Sequence, residues 1–339
     1  SVETSTLVLN KLSSDVEGVF MDVQDVNPEE KDENLSVLIR TYNRGEDAKW
    51  IYVAKSVEFD NLPNAIVGYY FDPIIIEYFG NINMVKRTII ARQGHAFISD
   101  WNFRNFYEIN DSLKYYSLYN GGSYSLFYSD YRICVKWEND GMAIRNHKSF
   151  RNSSSLYQLK RGVGFGKRGD IVDAHILKDN TFFTVEGMAF ADLKEGISVA
   201  CLSYVNCICA QYIVNLYTAQ HKQAGNMNLL PMPDYATRQS DIERIVNAII
   251  DIKRKWFSLD ETNLEYHGLI AQMHIDTTID AALNKMQEQL TADYARYEEL
   301  VKENDDLWMD LADIDRNSEF RQTLNNYKSR RPYEELLSI

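Results

Sequence analysis

Residues 198–220 leave this chain few options. They are apolar for most of their length, and about 20 such residues in a row either cross a membrane or lie at the centre of a folded domain. Asn206, Gln211 and Asn215 interrupt the run, so it reads as a buried helix of a soluble domain, with no membrane partner. Four Cys stand at 134, 201, 207 and 209, three of them inside the run. That placement argues against a disulfide framework, makes these thiols small core residues and fits a reducing cytoplasm. The chain opens on Ser1-Val2-Glu3-Thr4, with neither the basic nor the apolar region of a secretory signal. The missing initiator Met points to processing or to a fragment of a longer protein.

The flanks of the run differ in kind. Residues 1–80 read as mixed α/β. Leu7-Val8-Leu9, Val19-Phe20-Met21 and residues 49–53 are strand-like, Asn27-Pro28-Glu29-Glu30 starts one helix with Asn27 as cap, and residues 64–79 carry a second helix entered at Pro73. Residues 81–197 look irregular and strand-rich, with strands over 87–91, 133–137 and 181–185 and a turn at Asn120-Gly121-Gly122. From Thr237 onward the pattern is helical. Ser240-Asp241-Ile242-Glu243 resembles a capping box, Ile242, Ile245, Val246, Ile249 and Ile250 recur at helical spacing, and residues 277–303 form a long helix. Residues 307–311 and 320–324 follow as short pieces. The fold class expected is α+β, a mixed α/β domain followed by a helical C-terminal region.

The 339 residues carry a net charge of −13, which at first argues against a nucleic-acid partner. The distribution says otherwise. Residues 1–60 hold 13 acids against 6 Lys/Arg, and residues 241–339 hold 21 against 12, while residues 141–180 hold 8 Lys/Arg against 3 acids. A basic middle lies between acidic ends.

No motif for a phosphate-binding P-loop, a structural zinc site or an activated nucleophile is present, and the six His are scattered. Residues 162–169 hold four Gly with Lys167 and Arg168. They read equally as a flexible surface turn or as a loop whose amides and cations approach phosphates. His95 and His147 sit among polar and basic residues, as surface His or ligand contacts. Between 97 and 131 stand twelve aromatics, Phe97, Trp101, Phe103, Phe106, Tyr107, Tyr115, Tyr116, Tyr119, Tyr124, Phe127, Tyr128 and Tyr131. Lys86, Arg87, Arg92, Arg104, Lys114 and Arg132 interleave with or flank them. They make either a β-rich core with Tyr at its rim or, with the basic segment beside them, a surface that contacts bases and phosphates.

Several segments resemble a known family in order along the chain. Tyr119-Asn120-Gly121-Gly122 followed by Val135-Lys136-Trp137-Glu138-Asn139-Asp140-Gly141 looks like a paired motif of PglX, the adenine-specific DNA methyltransferases of BREX (bacteriophage exclusion) phage-defence systems. Larger relatives of that family are fused restriction–modification enzymes. Ala91-Arg92-Gln93-Gly94, residues 181–187, residues 203–216, residues 225–233 and residues 256–262 resemble further parts of its C-terminal half. The family's N-P-P-[YF] motif and its Gly-containing S-adenosylmethionine loop do not occur; Phe71-Asp72-Pro73-Ile74 is the nearest string, and it lacks the second Pro and the aromatic stacker.

The resemblance implies that residues 1–80 link to a missing methyltransferase half, residues 81–235 form the DNA target-recognition domain, and residues 236–339 form a helical C-terminal domain. The chain would recognise double-stranded DNA for adenine-N6 methylation, without a methyl-transfer site or a cofactor of its own. S-adenosylmethionine would belong to the catalytic half, joined or separate, and other BREX components are potential partners. Candidate DNA-binding residues are Arg92, Arg104, Arg145, Lys148, Arg151, Lys160, Arg161, Lys167 and Arg168; Asn120, Gly121, Gly122, Trp137, Glu138, Asn139, Asp140 and Gly141 carry the family motif. Alternatives are a free-standing specificity subunit, a defence-system interaction protein without DNA contact and, with least support, an independent enzyme.

Overall fold

The computed structural model describes residues 16–63, 66–81, 89–97, 103–110, 112–122, 125–169, 171–218, 221–268 and 278–327. The expected strand at 7–9, residues 87 and 88 of the strand expected at 87–91, and Lys86, Arg87, Trp101 and Tyr124 lie outside them; of the rest of that expected strand only Ala91 is extended in a sheet. The chain divides into two compact units, Ser1–Ile82 and Asn83–Ile339. The architecture is α+β, with helices, several small sheets and a helical C-terminal part.

In the first unit, β1 (Glu17–Met21) and β2 (Ile51–Lys55) pair antiparallel, with Val19 opposite Val53 and Phe20 opposite Tyr52. Phe20 stacks on Tyr69 at 4.6 Å and meets Phe59 edge-on, so the hairpin's aromatic side is its buried side. α1 (Lys31–Asn43) follows a single 3-10 turn, Pro28–Glu30. The expected Asn27 cap is absent: its side chain makes no capping bond. α2 (Pro73–Asn81) starts at the expected proline, with Asp72 Oδ1 accepting the Ile74 amide at 3.0 Å.

The second unit holds two four-stranded sheets. One runs in the order β3 (Ala91–Arg92), β10 (Gly187–Ala191), β7 (Gly162–Gly166), β8 (His175–Leu177). The other runs β4 (Phe103–Asn105), β6 (Ile133–Lys136), β5 (Tyr115–Tyr119), β9 (Thr181–Phe183), with β5 and β9 parallel. Alternation along a strand sends neighbours to opposite faces. Leu118 and Phe182 join Val135, Trp137 and Ile144 in one core, while Tyr119 and Phe183 join Tyr131, Leu177, Ala189 and Ala191 in another.

The glycine-rich stretch is neither a flexible turn nor a phosphate loop. Its first five residues are β7, a central strand buried along its whole length. A Cβ at Gly162 would fall inside the carbonyl of Phe190 on β10, and one at Gly164 would sit 3.0 Å from the Tyr119 ring and 3.1 Å from His175. Glycine is there because two neighbours approach the backbone closely.

The apolar run is two helices, α4 (Glu195–Asn206) and α5 (Ile208–Tyr217), bent by 68°. Cys207 between them is extended, and its Sγ accepts the Ala210 amide at 3.4 Å. Asp305 accepts the Ile208 amide at 2.8 Å, so a carboxylate from another helix caps the positive end of α5. The polar residues that interrupt the run are ties to its surroundings. Asn206 donates to the Ala174 carbonyl, Gln211 exchanges two bonds with Val172, and Asn215 donates to the Tyr327 hydroxyl. Among the described residues no single helix is long and apolar enough to cross a membrane.

After the short α6 (Ala224–Met227), α7 (Gln239–Phe257) buries Ile242, Ile245, Val246, Ile249 and Ile250, as their spacing predicts. Ser240 lies inside the helix, and no side chain caps its start. α8 (Ile279–Leu311) runs on through residues 307–311, which are not a separate piece, and α9 (Glu319–Tyr327) closes the described chain. Ser203 on α4 bonds Asn304 and Trp308 on α8.

Candidate nucleic-acid interface

Immediately after β6, in the first turn of α3 (Glu138–Arg145), the backbone does something L-residues avoid. Asn139, Asp140 and Gly141 are all left-handed, with φ of 51°, 56° and 69°. Each non-glycine residue in that region costs roughly 1–2 kcal/mol, less for Asn and Asp, whose short polar side chains tolerate it. Gly141 has a second reason: a Cβ there would lie 2.6 Å from the Trp137 indole. Trp137 is buried, while Asn139 and Asp140 are exposed. The strain therefore packs an indole beneath and presents two polar side chains above, and such strain concentrates at working sites. Lys114 and Lys136 both pair with Glu138 at 3.1 Å and, through those bonds, hold its carboxyl below the usual range. Arg145 pairs with Asp140 at 3.2 Å and lies over the Trp137 ring.

The chain then runs back along residues 92–96. Ala96 and Arg151 exchange backbone bonds at 3.1 and 3.4 Å. The Ser153 amide donates to His95 Nδ1 at 3.1 Å, and the Ser153 and Ser154 hydroxyls donate to the Gln93 carbonyl. Arg92 lies over the Tyr157 ring at 3.5 Å. These bonds place Arg92, Arg145, Lys148 and Arg151 along one edge with the strained turn. Arg145 has Asp140. Arg151 donates to the Lys148 and Phe150 carbonyls. Arg92, Lys148 and Arg151 pair with no carboxylate among the described residues.

The other candidates have different company. Lys160 pairs with Asp192 at 3.0 Å, and Arg161 with Asp179 at 3.2 Å and Glu195 at 3.8 Å. Lys167 and Arg168 share Glu186 at 3.0 and 3.4 Å. Asn120-Gly121-Gly122 follows β5 and packs here, since a Cβ at Gly121 would lie 2.5 Å from the Glu186 carbonyl. The two halves of the family motif thus serve different places. Arg104, on the edge strand β4, is exposed and donates to the Phe103 carbonyl.

His95 is a core residue rather than a surface one. Burial, with Arg145 adding repulsion, lowers its pKa to about 4. It lies among Phe97, Trp137, Phe150 and Phe182. His147 is exposed. The aromatic segment likewise faces inward: Phe97, Phe103, Tyr116, Tyr119 and Tyr131 line the two cores and Phe127 and Tyr128 are buried, whereas Tyr107 is exposed. The four Cys are buried free thiols, and burial pushes Cys209 up to about 12. Two contributors were not among the candidate site residues, although Asn228 lies in the family-like segment 225–233. Tyr157 supports Arg92, and Asn228 brackets Ala91 with bonds to its amide (2.6 Å) and carbonyl (3.2 Å), doing for the edge strand what a further strand would do.

No protein-family model and no curated protein matches this chain. Among solved structures it is similar to a Type IIL restriction-modification enzyme, MmeI, in complex with DNA, with a TM-score of 0.43 and 8% identity. The similarity covers 73% of this chain and 36% of that one, so this chain spans about a third of that enzyme's length.

Proposed function

We propose that this chain is the DNA target-recognition part of a site-specific adenine-N6 methyltransferase of the BREX type, and that methyl transfer from S-adenosylmethionine takes place in a separate catalytic half. The observation that carries the reading is the edge described above. Arg92, Lys148 and Arg151 stand there without acidic partners among the described residues, beside a strained turn that exposes Asn139. Cations without internal counter-charges suit the phosphate backbone, and a rigid exposed amide suits a base edge. The in-order resemblance of residues 91–94, 119–122, 135–141 and 225–233 to the family supplies the enzyme class. The cytoplasm and a methyltransferase partner, fused or separate, follow from the same reading.

The test is a fluorescence titration of labelled duplex DNA at several salt concentrations. Each lost phosphate contact lowers the log–log salt slope by about 0.9. Lys148→Ala with Arg151→Ala is expected to lower it by about twice that, whereas Lys160→Ala with Arg161→Ala leaves it unchanged. No salt-dependent binding by the natural chain, or equal slopes for the two pairs, would overturn the reading.

A further inference from the structure

We infer that Arg92, stacked on Tyr157, takes one phosphate diester of the DNA backbone, with Tyr157 and Asn228 as the positioning residues that hold it ready. The inference rests on the DNA reading above and assigns a ligand to one atom group within it.

Of the candidate cations, Arg92 and Arg145 both lie over an aromatic ring, and Arg92 does so without a carboxylate partner among the described residues. The Arg92 guanidinium lies 3.5 Å from the centroid of the Tyr157 ring, close enough for stacking in parallel with a cation–π attraction. Tyr157 itself packs against the core of Tyr119, Tyr131 and Phe183, so the platform is fixed from below. The strand that carries Arg92 is only two residues long and lies at the edge of its sheet. The Asn228 amide secures it through Ala91, and the Ser153 and Ser154 hydroxyls secure it through Gln93.

All this restraint ends on a charge without a counter-charge. Arg92 forms no ion pair among the described residues, and its Nε is buried without a hydrogen-bond partner there. A Leu or Met would fill the same space over Tyr157 without leaving a buried donor unsatisfied. The arrangement makes sense when an external acceptor meets the part of the half-buried guanidinium that remains accessible. That acceptor is an oxyanion: a planar guanidinium with its rotamer already fixed matches the paired oxygens of a phosphate and loses little freedom on binding. A half-buried side chain does not project far enough to reach a base within a groove. A backbone phosphate comes to the surface by itself. Lys148 and Arg151 on the same edge extend the contact to neighbouring phosphates.

Duplex DNA of several unrelated sequences and inorganic phosphate are titrated against the full chain, with thermal unfolding as the check on folding. Arg92→Gln is expected to lower the salt slope by about 0.9 on every duplex alike. Tyr157→Leu keeps the charge, so it is expected to weaken binding several-fold with the slope unchanged, and Tyr157→Phe to restore it. If the natural chain binds DNA and Arg92→Gln keeps both affinity and slope, the inference is overturned while the DNA reading stands. If it binds no DNA but binds phosphate, and Arg92→Gln abolishes that, the oxyanion site stands and the DNA reading falls. Binding of neither overturns both. A loss confined to one DNA sequence would move Arg92 from phosphate to base edge and overturn the assignment made here.

Discussion

Residues 145–151 and 160–168 have nearly the same density of Lys and Arg, three in seven residues and four in nine, and are opposite in the folded protein. Arg151 and the serines after it bond to Gln93, His95 and Ala96, all uncharged at neutral pH, and of Arg145, Lys148 and Arg151 only Arg145 pairs with a carboxylate, Asp140, among the described residues. Lys160, Arg161, Lys167 and Arg168 flank β7 and face Asp192, Asp179, Glu195 and Glu186. Exposed pairs of this kind contribute at most about 1 kcal/mol each to stability. They do, however, cancel the field that a polyanion would feel. A count of charges along the chain gives both segments the same weight. The fold separates them, because the neutralising acids come later in the sequence, in the turns after β8, β9 and β10 and at the start of α4.

The two regions also differ in what fixes their backbone, and the largest expected effect follows from that. At Gly162 the obstacle is the Phe190 backbone carbonyl, which cannot rotate away. Gly162→Val is expected to destabilise the protein by about 3 kcal/mol or more, since overpacking here forces β7 from β10. On the exposed edge, Ser155→Val is expected to change stability by no more than about 0.5 kcal/mol. Urea unfolding followed by circular dichroism compares them. Similar midpoints for the two variants would erase the distinction between a packed strand and a solvated edge.

A smaller effect separates the two buried His. His95 lies beneath the edge and His175 beside β7, and burial lowers each pKa from 6.5 to about 4. The folded state therefore holds both neutral while the unfolded chain takes up protons below 6.5. Their contribution is complete above that pH and is lost as pH falls toward 4. Between pH 7 and 5 each should cost about 2 kcal/mol of stability. The positive charge of Arg145 acts on His95 and not on His175. Arg145→Met should therefore raise the titration midpoint of His95 in an NMR titration and leave that of His175 in place. A shift of both, or of neither, would show that Arg145 does not act on the edge alone.

Much of the architecture was legible because it depends on near neighbours. The helical spacing of Ile242–Ile250 led to the buried face of α7, and Pro73 marked the start of α2. The bend at Cys207 was not legible, because its cause, the carboxylate of Asp305, arrives from α8. The glycines of β7 look like loop glycines from the chain alone, since Phe190 and Tyr119 are distant in sequence. The same limit hid Tyr157 and Asn228. Arg92 could be named as a cation, but what makes it unusual is a ring 65 positions later and an amide further still. The Trp137–Gly141 motif could be read as a unit, and its three left-handed residues explain why Asn, Asp and Gly follow one another.

That turn yields the smallest effect on stability. Asn139 is left-handed and exposed, so glycine suits its backbone at least as well. Asn139→Gly removes the amide and leaves the turn, and stability should change by less than about 1 kcal/mol. If the strain serves to present that amide to a base edge, duplex affinity falls by about 1–3 kcal/mol on a cognate sequence and far less on an unrelated one. The opposite substitution separates support from recognition. Gly141→Ala forces a methyl against the Trp137 indole, should lower stability by more than Asn139→Gly does, and disturbs the edge on every sequence. Were Asn139→Gly to bind all duplexes as the natural chain does, the turn would serve only to reverse the chain. Only Arg92, Lys148 and Arg151, which pair with no carboxylate among the described residues, would then set this edge apart.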